Sequence, residues 1–184
     1  PLIEFFVYPS FSQMNKDFGF DMHPFYQSVS VGGRQIAANR MVFYGGAKAE
    51  ANIHEIIHIL LRQITPAPTM LEEGICTYYG GSIGKSYEEQ KAGLIRYLEN
   101  NPKEPINIFD FPEDYGYNHS YTVMAVLVEY IEKQWGVERV LEMLKFEAKE
   151  KGGDEEVFRN MIKTYFELEE SEFASFLRKI LDIN

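Results

Sequence analysis

The spacing of apolar and polar residues changes period near residue 46. Before that point, short apolar runs are bounded by turn residues. Leu2 to Tyr8 is apolar, aromatic and rich in strand formers. Ser28 to Val31 and Arg34 to Ala37 flank Gly32-Gly33, which predicts a two-residue hairpin because glycine supplies the positive φ such turns need. Arg40 to Tyr44 predicts a third short strand, stopped by Gly45-Gly46. From Ala47 to Ile64 the period is helical, with Ile53, Ile56, Ile57, Leu60 and Leu61 on repeating turns. Pro66 and Pro68 end that helix, since proline cannot continue it. Met70 to Tyr79 predicts a short helix stopped by Gly80-Gly81. Ser86 to Asn100 predicts another, opened by the capping-box pattern Ser86-Tyr87-Glu88-Glu89. Asn101 to Asn118, punctuated by Pro102, Pro105, Pro112 and Gly116, reads as a long surface loop. Asn118 to Trp135 is strongly apolar at helical spacing and ends at Gly136. Val137 to Lys151, Asp154 to Phe166 and Ser171 to Leu181 complete a helical second half. The fold class expected from this pattern is α+β, with a small, mostly antiparallel N-terminal sheet in 1–46 followed by a mainly helical part in 47–184.

Composition narrows the picture. A chain of 184 residues, 45 % hydrophobic and 25 % charged, has the balance of one globular domain, 1–184. Eighteen basic against 28 acidic side chains leave a net charge of −10. Phosphate-directed nucleic-acid binding needs basic clusters, so no nucleic-acid partner is expected, and an anionic membrane surface is equally unsuited. The charge is uneven: residues 1–100 hold 8 basic and 10 acidic side chains, and residues 101–184 hold 10 and 18. Solvated helix faces account for the acidic half; an acidic rim that attracts cationic substrates is the alternative. No apolar run is long enough for a membrane span. The single cysteine, Cys76, allows no intrachain disulfide and reads as a small buried residue. The chain opens Pro1-Leu2-Ile3 without a methionine or signal pattern, as expected of a processed or excised fragment. That fits a secreted or cell-envelope protein whose targeting segment has been removed, with a cytoplasmic protein as the alternative.

The chemistry is concentrated in His54-Glu55-Ile56-Ile57-His58. On a helix, residues four apart lie about 40° apart around the axis, one turn along. Both imidazoles then project from one face and can share one metal ion. Glu55, about 100° round, can reach a water beside that ion. Imidazole suits zinc, and an open fourth position admits water. The flanking isoleucines and leucines place this polar triplet on a largely buried helix, where polar groups need partners.

A further element lies downstream. His-Glu-x-x-His followed by a second helix carrying Glu73-Gly74, with Tyr78 five residues after Glu73, resembles the gluzincin superfamily of zinc metallopeptidases. The likeness is nearest to compact peptidase MA-like domains, and then to the catalytic domains of zinc aminopeptidases and thermolysin. It spans roughly residues 40–145 and implies a zincin-like fold. It implies Glu73 as the third zinc ligand beside His54 and His58, with Glu72 as the alternative. It implies Glu55 as general base. The oxyanion donor it implies is Tyr121, with Tyr117 and His119 as competitors. It further implies that an edge strand before the metal helix binds extended substrate, for which Arg40 to Tyr44 is the candidate. The segment Tyr44 to Asn52 lacks the Gly-x-Met-Glu-Asn pattern with which the aminopeptidases hold a free amino group, so aminopeptidase specificity is not implied.

The expected function is therefore a metallopeptidase with one zinc ion, acting on a peptide or protein substrate. The alternatives are a catalytically inactive peptidase-like module that binds protein or peptide, and a zinc hydrolase of a non-peptide amide or ester.

Overall fold

The computed structural model describes residues 53–184 apart from 62–63, 66–68, 83, 103–105, 107, 110–118, 151 and 184, together with 16–17 and the backbone of 4–8, 32–37 and 40–44. The described residues are mostly helical, which contradicts the expected α+β fold with its mostly antiparallel N-terminal sheet and zincin-like layering. Seven helices carry the packing: α1 (Ile53–Leu61), α2 (Met70–Gly80), α3 (Tyr87–Asn100), α4 (His119–Trp135), α5 (Val137–Glu147), α6 (Asp154–Phe166) and α7 (Glu170–Ile180). The described core begins at Ile57, and its residues belong to the helices, to connections between them, or to the short tail after the last helix. The helices bury one another, so no second layer is needed to close that core.

Three short extended segments precede the helices: β1 (Glu4–Tyr8), β2 (Gly32–Ala37) and β3 (Arg40–Tyr44). Their order is β1-β3-β2, with β3 parallel to β1 and antiparallel to β2. Two sequence expectations fall with this register. Gly32-Gly33 is not a hairpin turn, because both residues lie inside β2, opposite Tyr44 and Phe43. Glycine tolerates extended backbone as well as turns, and the antiparallel partner is on the C-terminal side, with Ala37 opposite Arg40. Arg40 to Tyr44 is the middle strand, hydrogen-bonded on both sides, and so is not the open edge expected to receive substrate. Ser28 to Val31 lie outside the described residues.

Local signals explain the helix boundaries. Thr69 caps α2, its hydroxyl accepting the Glu72 N–H at 3.1 Å. Ser86 and Glu89 form a reciprocal capping box on α3. Gly136, at φ 85°, separates α4 from α5 in a conformation that a side chain resists. The proline-punctuated stretch is not surface throughout. Ile108 is buried, and its carbonyl accepts a hydrogen bond from Ser120 in the first turn of α4. Residues 110–118 lie outside the described set.

The centre of the structure is α4, whose residues Thr122 to Glu129 are all buried. It runs alongside α2 in the same direction: Gly74 abuts Met124, and farther along Tyr79 donates to Glu132 at 2.5 Å. The one buried acid of this stretch, Glu129, accepts from Tyr87, Lys91 and Lys133, each at 2.6 Å. Burial opposes its ionisation, but these partners hold its carboxyl down at about 2. In contrast, α1 runs antiparallel to α2, with His54 beside Gly80 and His58 beside Glu72. A Cβ on Gly80 would stand 2.4 Å from the His54 nitrogen, so the two backbones touch there. Among the described residues, no helix is long and apolar enough to cross a membrane.

Gly74 allows a close contact between α2 and α4. A Cβ there would stand 2.6 Å from Met124 Cβ and 2.7 Å from its carbonyl carbon. Alanine ordinarily favours a helix interior over glycine by about 1 kcal/mol. Here overpacking reverses the sign, and Gly74→Ala is expected to lower the unfolding free energy by about 1–3 kcal/mol in urea denaturation.

Candidate metal centre

The antiparallel pairing of α1 and α2 brings the two histidines and the Glu72-Glu73 pair together. His54 Nε2 and His58 Nε2 lie 3.2 Å apart. Glu73 Oε2 is 3.3 Å from the first and 3.4 Å from the second. Three donor atoms thus form a nearly equilateral triangle. Tetrahedral zinc with ligand bonds of about 2.0–2.1 Å requires its ligand atoms to be about 3.3–3.4 Å apart. The donor set therefore fits a zinc ion in both chemistry and spacing.

The opposite nitrogens show how the rings are held. His54 Nδ1 lies 2.6 Å from the Gly81 carbonyl, which can only accept, so this nitrogen carries a proton and Nε2 is the nitrogen turned toward His58 and Glu73. His58 Nδ1 lies 2.6 Å from Glu72 Oε1, on a carboxylate that is fully buried. A histidine oriented by a carboxylate or carbonyl on its far nitrogen is the usual support of a metal-binding imidazole. Glu72 and Glu73 are adjacent on α2 and point about 100° apart. One orients His58, and the other completes the triangle.

The charge balance suits a cation. Burial disfavours charge on His58, but hydrogen bonds with Cys76, Glu72 and Glu73 push its pKa up to about 12. Burial works against Glu73 as well, yet hydrogen bonds from His54 and His58 lower its carboxyl to about 2. A protonated His58 thus stands between two carboxylates, and its proton is what a metal ion must displace. Burial raises the Glu55 carboxyl above its ordinary value, with the Glu73 charge adding to the rise and His54 and His58 opposing it. Glu55 therefore lies within electrostatic reach of all three donors. The Glu73 side chain is 23 % exposed, so the triangle opens toward solvent on its side.

Cys76 offers a second donor set. Its sulfur and the two histidines hold ligand atoms within 4.8 Å of one another. A thiolate and an imidazole on one tetrahedral zinc need about 3.6 Å. The Glu73 set meets its required spacing without rearrangement; burial raises the Cys76 thiol to about 11, so this donor too would have to give up its proton to a metal.

The oxyanion candidates are placed unequally. Tyr121, half-buried, stands one turn before Met124, at the level of the first turn of α2. His119 is buried, its ring 4.9 Å from that of Tyr97. Tyr117 lies outside the described residues. Tyr78 packs against Tyr79 and Tyr87. Two contributors escape a reading by motif. The Gly81 carbonyl is main chain and leaves no side-chain signal. Glu147 reaches the first turn of α2 from 76 residues away, accepting the Leu71 N–H at 3.0 Å. Comparison with protein-family models, with curated proteins and with solved structures finds no match.

One zinc ion per chain is expected to bind, releasing about one proton near neutral pH because His58 enters protonated. Affinity should weaken as pH falls, since the raised pKa favours the proton over the metal. Titration in weak buffer and chelator competition measure both effects. Glu73→Ala should lose most of the affinity.

Proposed function

We propose that this chain is a zinc-dependent metallopeptidase. The observation that carries the reading is the triangle of His54 Nε2, His58 Nε2 and Glu73 Oε2, with Glu55 beside it on the metal helix. The likeness of His54 to His58 and of Glu73-Gly74 to the gluzincin pattern points the same way.

Zinc held by His54, His58 and Glu73 would supply Lewis acidity toward a carbonyl and toward water. The chain's own residues do the rest. Glu72 and the Gly81 carbonyl fix the two rings, so neither imidazole has to turn before a metal or substrate enters. Glu55 takes a proton on its carboxylate as water attacks the amide carbon, and returns it to the leaving nitrogen as the carbon–nitrogen bond breaks. The raised pKa of Glu55 brings it nearer to neutral pH, which suits a group that must both accept and deliver a proton. Tyr121 is the candidate hydroxyl donor to the oxygen on which charge develops. A module that only bound peptides would have no need of Glu55.

Glu55→Gln keeps the size and hydrogen-bonding capacity of the side chain but removes the base. It is expected to bind zinc as the native protein does and to cleave a mixed peptide library at least 10²–10⁴ times more slowly, about the share a general base contributes. Cleavage at the native rate would remove Glu55 from the mechanism. If the native protein cut no peptide but cut simple amides or esters, and Glu55→Gln did not, the substrate class would change and the base would stand.

A further inference from the structure

The first turn of α2 has an unusual division of labour. Its sequence, Thr69-Met70-Leu71-Glu72, is that of a capping box, in which the last residue normally folds back to the amide of the first. Half of the box is present, since Thr69 accepts the Glu72 N–H at 3.1 Å. The other half is missing: the Glu72 carboxylate is turned away to His58 Nδ1, at 2.6 Å. A helix start needs acceptors for its unpaired N–H groups, and its positive end favours an anion. Glu147, at the far end of α5, brings one. Its carboxylate accepts the Leu71 N–H at 3.0 and 3.3 Å and also bonds the Met70 N–H and the Thr69 hydroxyl. Only 8 % of Glu147 is exposed, so this carboxylate is fixed within the protein rather than lying loosely on a surface.

We propose that Glu147 is a positioning residue of the metal centre, supplying the helix-capping carboxylate that Glu72 gives up in order to orient His58. The chain of contacts is short. Glu147 holds the Thr69 hydroxyl and the Leu71 amide. Thr69 holds the Glu72 amide. Glu72 and Glu73 then leave the helix at fixed angles, one toward His58 Nδ1 and the other toward the two Nε2 atoms. Loss of Glu147 frees the turn from which both acids project, and Glu72 is then drawn back toward the vacant cap. The proposal rests on the reading of His54, His58 and Glu73 as metal ligands.

The test compares zinc affinity, by chelator competition, with amide hydrogen exchange in the zinc-free protein. Glu147→Ala should weaken zinc binding by about 10–100-fold, the range typical of lost support behind a metal ligand. Exchange at Leu71 and Glu72 should accelerate, while amides in α6 and α7 keep their native rates. Glu147→Gln retains an oxygen acceptor and should recover most of the affinity. Thr69→Ala breaks the same relay while leaving the Glu147 carboxylate in place and should reproduce the loss, which keeps the test usable if Glu147→Ala fails to fold. Native zinc affinity in Glu147→Ala or Thr69→Ala overturns the proposal. So does exchange accelerated equally in every helix, which marks a purely global loss of stability. Failure of the unmodified protein to bind zinc overturns the metal reading itself, a distinct result.

Discussion

The site depends on how closely α1, α2 and α4 approach. At Gly80 the backbone of α2 touches the first turn of α1, and at Gly74 it touches α4. Helices separated by ordinary side chains lie 8–10 Å apart, and glycine at a crossing lets them come nearer. That nearness brings His54 and His58 within reach of α2, so that a short glutamate side chain spans to both rings and the Gly81 carbonyl meets His54. A methyl group at position 80 would have to displace the segment carrying His54. Gly80 is therefore part of the site's architecture, although it contributes no donor atom.

Close packing creates a second requirement. Polar groups placed between apolar helices cost several kcal/mol unless they are hydrogen-bonded. The pairings here divide the work: Gly81 and Glu72 take the far nitrogens of the histidines, Glu73 meets the near ones, and Glu147 takes the helix start. Each partner also narrows the freedom of the group it satisfies. Polar satisfaction and geometric preorganisation thus arise from the same contacts. The acidity of residues 101–184, which first reads as solvated surface, is partly put to internal use, since Glu129 and Glu147 both serve buried hydrogen bonds.

Much of the helical half was legible in the sequence because its signals are local. The box of Ser86 and Glu89, the stop at Gly136 and the apolar run of α4 each depend on residues within a few positions. The N-terminal reading failed where pairing is long-range. Nothing near Gly32-Gly33 tells whether it turns or extends; that depends on Tyr44 and Phe43 lying opposite. The same distinction applies at the site. The two histidines announce themselves by their four-residue spacing. Glu72 and Glu73 are neighbours of one type, and only the placement of α1 separates their roles. Glu147 is separated from its partner by 76 residues, with no motif to connect them.

We propose that two imidazole nitrogens and one glutamate oxygen, with no sulfur, hold the metal. X-ray absorption at the zinc edge of the loaded protein tests it most directly. The expected spectrum has nitrogen and oxygen neighbours at about 2.0–2.1 Å, with the outer scattering of two imidazoles. A sulfur neighbour at about 2.3 Å would place Cys76 on the metal and contradict the assignment of Glu73.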